Sequence, residues 1–291
     1  MKKRKYSFVS TIILACFVAL FSCTSSPDKK KDKDRESSES WSVRMAETIM
    51  SDYPEMWRMD DAEKIKWTYT KGLLGDAFLA LWKETGNQEY FNYPKAYADT
   101  LIDETGTIYG YKMEDYNIDN INPGKMLFEL YEETGDERYK IAIQTLRRQL
   151  DNHPRTEAGG FWHKKRYPHQ MWLDGLYMGS VFYTRYGIIY NEPESIEDAI
   201  DWIILMEEKA RDPESGLLYH AWDESREQRW ANKETGLSEH FWGRGMGWYG
   251  MALVDILDYL EGNPRKEEVI AIVPRMAEAI IKVQDDSTGV W

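Results

Sequence analysis

The densest set of reactive side chains in the sequence lies between Gly159 and Gly179, GGFWHKKRYPHQMWLDGLYMG. It brings His163, Lys164, Lys165, Arg166 and His169 next to Trp162, Tyr167 and Trp172, with a single acid, Asp174. From Met171 the apolar residues Trp172, Leu173, Leu176, Tyr177, Met178, Val181 and Phe182 are too dense for a surface helix, and a helix apolar nearly all round belongs inside a fold. Asp174 is thereby placed near the N-terminal end of a buried helix, among aromatics. A carboxyl there is costly unless it is paired, hydrogen-bonded or protonated. If protonated it is a proton donor; if hydrogen-bonded it is a cap for a neighbouring backbone, and the stretch alone leaves both open. A helix N-terminus favours the charged form. Burial against Trp162 and Trp172, with a second acid nearby, pushes the other way, and the second influence is expected to prevail.

Three more stretches carry polar groups that packing does not require. Tyr116 to Lys125, YNIDNINPGK, leads Asp119 and Asn120 into a helix start, with Asn122 as N-cap and Pro123 as first helical residue; turn chemistry alone would also use them. Leu218 to Glu224 sets His220 among aromatics before Asp223 and Glu224. Phe241 to Tyr249, FWGRGMGWY, holds Arg244 between Trp242 and Trp248 with three glycines. Glycines permit close approach of backbone or ligand, indole faces suit a sugar ring, and a guanidinium grips a carboxylate in bidentate fashion. Together these stretches describe a saccharide pocket with acids Asp119 and Asp174, cations Lys164 and Arg244, and the imidazole of His220. His163 and His169 lack the helical spacing of a zinc pair, and neither a phosphate loop nor a nucleophile elbow occurs. No metal or organic cofactor is expected.

The elements that must position these groups are helices. Residues 67–84 read as an apolar helix ended by Thr85-Gly86-Asn87, with a more polar partner at 89–103; residues 125–133 end at Thr134-Gly135-Asp136, with a partner at 139–150. The two Thr-Gly turns are about 50 residues apart, a spacing typical of helical-hairpin arrays. Residues 171–186 and 196–209 form another pair, with Gly187 in the turn, and 241–260 and 267–283 a further one. A first helix spans 41–52. Hairpins of this kind close as an (α/α) barrel or run open as a solenoid. The long connections at 108–123 and 154–168 favour the barrel.

The start of the chain is of another kind. Four cations (Lys2, Lys3, Arg4, Lys5), an apolar run and small residues before Cys23 mark residues 1–22 as a secretory signal. Leu20-Phe21-Ser22-Cys23 resembles a bacterial lipobox, so Cys23 is expected to carry lipid. Cys16 leaves with the signal, and one remaining cysteine excludes a disulfide framework. Residues 23–40 are polar and read as a disordered tether. The net charge of -13 argues against nucleic acid as a partner. The expected location is the bacterial cell envelope, anchored by lipid.

At the four polar stretches the chain resembles glycoside hydrolase family 105, the unsaturated rhamnogalacturonyl hydrolases, and is more distantly similar to family 88, the unsaturated glucuronyl hydrolases. NIDNINPGK, HPRTEAGGFWHK, YPHQMWLDGLYM, YHAWDES and FWGRGMGWYGMALVDILDYL follow the family's order and approximate spacing across residues 41–291. The resemblance implies an all-α fold, an (α/α)6 barrel of twelve helices, with Asp174 as catalytic acid/base and Asp119 as second acid. It implies substrate contacts by Tyr69, Lys164, Trp172, His220, Trp242, Arg244 and Trp248, and an unsaturated uronic-acid oligosaccharide as partner. Nine helices are legible and the pattern continues past Trp291, so the barrel is expected to lack its C-terminal helices. The rival readings are an inverting glycosidase or an unsaturated glucuronyl hydrolase on the same barrel, a sugar epimerase, and a saccharide-binding lipoprotein without catalysis.

Overall fold

A computed structural model describes residues 40–291. The signal, Cys23 and all of the expected tether except Ser40 lie outside the described residues. Helix α1 spans Trp41–Asp52. Four helical hairpins follow. Helix α2 (Tyr69–Thr85) pairs with α3 (Gln88–Leu101), and α4 (Met126–Thr134) with α5 (Glu137–Asp151). Helix α6 runs without a break through Leu173–Gly175, a π-helical turn at Leu176–Ser180 and Val181–Tyr190, and pairs with α7 (Pro193–Ala210). Helix α8 (Gly243–Tyr259) pairs with α9 (Lys266–Ile270) and α10 (Ile272–Ile281), which follow one another with a single-residue break at Ala271.

The repeated Thr-Gly-Asn/Asp turn has a clear stereochemical use. Gly86 and Gly135 end their helices at φ 71° and 66°, the left-handed conformation that glycine adopts without strain. The next residue caps the following helix: Asn87 accepts from the Glu89 amide and Asp136 from the Arg138 amide. In the third hairpin Asn191 takes the left-handed position at φ 55°. Gly187, expected in that turn, lies inside α6 instead. A Cβ on it would sit 2.7 Å from Ile196 and 2.8 Å from the Glu192 carbonyl, so the glycine serves helix packing.

The hairpins are arranged as an all-α toroid. Inner helix α6 is buried at every position from Gly175 to Thr184. Outer helix α5 buries only the stripe Tyr139, Ala142, Ile143, Leu146, Gln149 and Leu150, the pattern of a helix with one covered face. Successive inner helices touch: α2 with α4, the turn before α4 with α6, and α6 with α8. The contact of α2 with that turn is very close. A Cβ on Gly72 would fall 2.6 Å from Cα and 2.7 Å from N of Pro123. The turn itself, Asn122–Gly124, is 3-10 helical. Asn122 does not act as an N-cap; its side-chain amide donates to the Tyr69 carbonyl at 2.8 Å and ties the turn to α2. The only strands among the described residues are β1 (Gln170–Trp172) and β2 (Ala221–Asp223), an antiparallel ribbon with Trp172 opposite Ala221. This ribbon, absent from the helical reading, launches α6.

Candidate active site

Asp119 sits in a 3-10 turn, Ile118–Asn120, capped by Asn117: the Asp119 N–H donates to Asn117 Oδ1 at 3.1 Å. The loop is fastened to the 163–165 segment by backbone bonds from the Ile118 amide to the His163 carbonyl and from the Lys165 amide to the Tyr116 carbonyl, both 3.1 Å. That pairing brings Lys164 Nζ to 2.5 Å from Asp119 Oδ2, and His163 Nε2 to 3.4 Å from Oδ1. Both carboxylate oxygens of Asp119 therefore face a nitrogen of the neighbouring loop. His163 is buried, and burial pushes its imidazole down to about 4, so the ring is neutral near pH 7.

Asp174 occupies the first turn of α6. The ribbon sets its position, since the Leu173 amide donates to the His220 carbonyl at 2.9 Å. Burial pushes the Asp174 carboxyl up to about 6; its own backbone N–H opposes this, the Asp119 carboxylate adds to it, and Arg244 and Lys164 oppose it more weakly. Oδ2 is buried with no hydrogen-bond partner in the protein. A buried acceptor without a partner is costly, and a proton on that oxygen lowers the cost.

Aromatic rings wall the two acids. Trp172 lies between His163 (centroids 4.6 Å apart, planes at 10°) and Tyr167 (5.2 Å, 10°). His220 meets Trp172 edge-on at 6.0 Å and Trp242 at 5.8 Å, and burial pushes the His220 imidazole down. Arg244 rests its guanidinium 4.3 Å from the centre of the Trp242 ring. Tyr69 contacts Trp248 edge to face at 6.1 Å. Burial raises the Tyr69 hydroxyl, and the nearby charges of Arg244, Asp119 and Asp174 act on it as well. These ring contacts and charges link the nine residues singled out from the sequence in residues 41–291: Tyr69, Asp119, Lys164, Trp172, Asp174, His220, Trp242, Arg244 and Trp248.

Two details differ from the sequence reading. Lys164, expected to face a substrate carboxylate, is engaged by Asp119; Arg244 is exposed and makes no ion pair among the described residues. Of the three glycines around Arg244, only Gly245 is close to other groups: a Cβ there would lie 3.2 Å from Trp242 and 3.4 Å from His220, whereas Gly243 and Gly247 have nothing within 4 Å. Sequence reasoning named His163 and Tyr167 but gave them no place in the site, where His163 faces Asp119 and Tyr167 stacks on Trp172. The signal was present in FWHK, where Phe161 and His163 alternate with half-buried neighbours and share the inward face of an extended segment. No cluster of three metal-ligating side chains occurs among the described residues.

An all-α toroid of helical hairpins is the architecture of the six-hairpin glycosidases. The sequence profile of Glycosyl Hydrolase Family 88 matches residues 41–291, and the chain belongs to that family. It is 25% identical over 232 residues to the unsaturated rhamnogalacturonyl hydrolase YesR of Bacillus subtilis, a match covering 77% of this chain and 63% of that protein. Among solved structures it is 43% identical to a family 105 glycoside hydrolase of C. acetobutylicum, with a TM-score of 0.82 over 87% of this chain and 69% of the other. A family 88 glycosyl hydrolase from Bacteroides vulgatus, 20% identical, shares the fold at a TM-score of 0.59 over 85% of this chain and 70% of that one.

Proposed function

We propose that the protein is an unsaturated rhamnogalacturonyl hydrolase, which removes a terminal 4,5-unsaturated galacturonyl residue from rhamnose-containing pectin oligosaccharides. The observation that carries the reading is the contrast between the two acids. Asp174 is half-buried, raised to about 6, and has a buried oxygen without a partner. Asp119 is held through Oδ2 by Lys164, with the neutral His163 ring 3.4 Å from Oδ1. One acid is poised to exchange a proton, and the other is engaged as a fixed charge. An inverting glycosidase needs its second carboxylate free to activate water, which the engagement of Asp119 disfavours. The sequence likeness to YesR supports the choice of substrate.

In this mechanism protonated Asp174 donates its proton to C4 of the enol-ether double bond. The electron deficiency formed at C5 is shared with the ring oxygen. Water adds at C5 and returns a proton to Asp174. The resulting hemiketal opens and expels the leaving sugar, so one water is consumed and the acid is regenerated. The same residue acts as acid and then as base, and no cofactor enters. Arg244 takes the uronate carboxylate, and the partly exposed Trp242 offers a ring face to the sugar, while Trp172, stacked on both faces, presents only its edge. Lipidation at Cys23 would hold the enzyme at the cell envelope.

The test is to incubate the protein with the oligosaccharides that a pectin lyase leaves and to follow the ultraviolet absorbance of the conjugated enol acid. The expected result is loss of that absorbance as a rhamnose-ended product appears. Cleavage of a saturated glycoside with the chromophore intact would replace this reading with the inverting glycosidase. Binding with no turnover would replace it with a saccharide-binding protein.

A further inference from the structure

Lys125 is a buried cation that the reaction above does not use. It ends the NPGK turn immediately before α4, six residues after Asp119, and is 3% exposed. Its ammonium lies 3.5 Å from the centre of the Tyr177 ring and 3.1 Å from Asp76 Oδ2 on α2. Its carbonyl accepts from the Arg185 guanidinium of α6 at 3.4 Å. Burial pushes the ammonium down, while Asp76 and Asp255 hold it up and Arg185 opposes them. Asp76 is itself pushed up to about 6 by burial against the pull of Lys125.

The ring it touches is a junction. Tyr177 belongs to the π-helical turn of α6 and comes three residues after Asp174. It stacks on Trp248 of α8 with centroids 5.0 Å apart, and Trp248 meets Tyr69 at the start of α2. Tyr177 of α6 thus touches Trp248 of α8 and Lys125 at the head of α4, and these two in turn reach α2 through Tyr69 and Asp76. A π-turn is a weak place in a helix and recurs at functional sites. A desolvated ammonium over an aromatic ring is among the stronger cation–π contacts. We propose that Lys125 is a positioning residue: by holding Tyr177 against Trp248 it fixes the π-turn one turn beyond Asp174, and so sets where the acid stands relative to Asp119 and the indole floor. This rests on Asp174 being the acid of the proposed reaction.

The titratable groups that share the cavity with Lys125 are Asp76, Lys83, Glu129, Arg185, Asp255, Asp258 and Tyr259, and the Tyr177 ring lies against its ammonium. The first cause of the raised Asp174 value is burial, so a loosened π-turn that admits water should move it down. Three variants test this: Lys125→Met, which keeps the length and removes the charge; Lys125→Arg, which keeps a cation over the ring; and Tyr177→Leu, which leaves the Lys125–Asp76 pair intact. Two readouts are taken on the folded proteins. One is kcat and KM on pectin-lyase oligosaccharides. The other is the titration midpoint of the Asp174 carboxyl, read by infrared difference against Asp174→Asn, which needs no turnover.

The expected result for Lys125→Met and Tyr177→Leu is a kcat lower by about tenfold or more, the scale of a small misplacement of a reacting group, with little change in KM and a lower Asp174 midpoint. Lys125→Arg should recover most of both. A folded Lys125→Met or Tyr177→Leu with an unchanged midpoint overturns the proposal, as does a Lys125→Arg no better than the methionine variant. If Lys125→Met does not fold, Tyr177→Leu decides alone. If the wild-type protein does not turn over the oligosaccharide, the proposed reaction fails, and the infrared midpoints still decide whether Lys125 positions Asp174.

Discussion

Replacing Asp174 by asparagine should sharply lower turnover and stabilise the protein, and the stabilisation should depend on pH in a way the structure specifies. The carboxyl is raised from 3.8 to about 6 in the folded chain, with burial the main cause. A folded value above the unfolded one means that the native state holds the proton more tightly. The associated stability is complete below about pH 4 and is lost as the pH rises through about 6; above that, the native chain carries a buried charge. At about 1.4 kcal/mol per pH unit, the gap costs ~3 kcal/mol near pH 8. Asparagine removes that cost but sets an amide where Oδ2 has no partner, which returns ~1 kcal/mol. The net gain is ~2 kcal/mol, or about 4–8 °C in melting temperature for a domain of roughly 250 residues. The assay is thermal unfolding of both proteins near pH 4 and near pH 8, with kcat measured alongside. The variant should melt higher only at the upper pH, and its kcat should fall by about 10²–10⁴-fold. An equal melting shift at both pH values, or none near pH 8, would refute the claim that burial of an ionisable Asp174 sets its chemistry.

Arg244→Ala should raise KM on a free-acid substrate by about tenfold, equivalent to ~1.4 kcal/mol, and leave KM on the methyl ester unchanged; equal effects on both in steady-state kinetics would make the arginine structural. Lys164→Met should lower kcat more than it raises KM. It should also move the Asp174 midpoint upward in the pH–rate profile, because a cation that lowers that carboxyl is lost. Gly72→Ala should destabilise the fold by about 1–3 kcal/mol in urea unfolding, since the new methyl meets the Pro123 backbone and not a flexible side chain. Cys23→Ser should release the protein from the detergent phase and end incorporation of labelled fatty acid; a serine variant that still partitions fully into detergent would remove lipidation from the account.

Much of the helical plan was legible because it depends on local rules. Glycine after Thr85 and after Thr134 stops a helix by taking the left-handed conformation, and Asn87 or Asp136 starts the next one. The density of apolar residues after Met171 marked α6 as an inner helix, with an acid near its start. The site residues were legible as types, because tryptophan, arginine and carboxylates have few structural reasons to gather around glycines. What each one does was settled by contacts between segments far apart in the chain. Lys164 and Asp119 are 45 residues apart in sequence, and only the pairing of their two loops shows that the lysine is engaged, so that of the two candidate site cations Arg244 is the one with no ion pair among the described residues. The β1–β2 ribbon joins residues about 50 apart through backbone bonds, which leave no periodic trace in strands of three residues. The value of about 6 at Asp174 is likewise a tertiary property. The sequence determined that an acid stands at the head of a buried helix; the surrounding walls, assembled from four hairpins, decided how tightly it holds its proton.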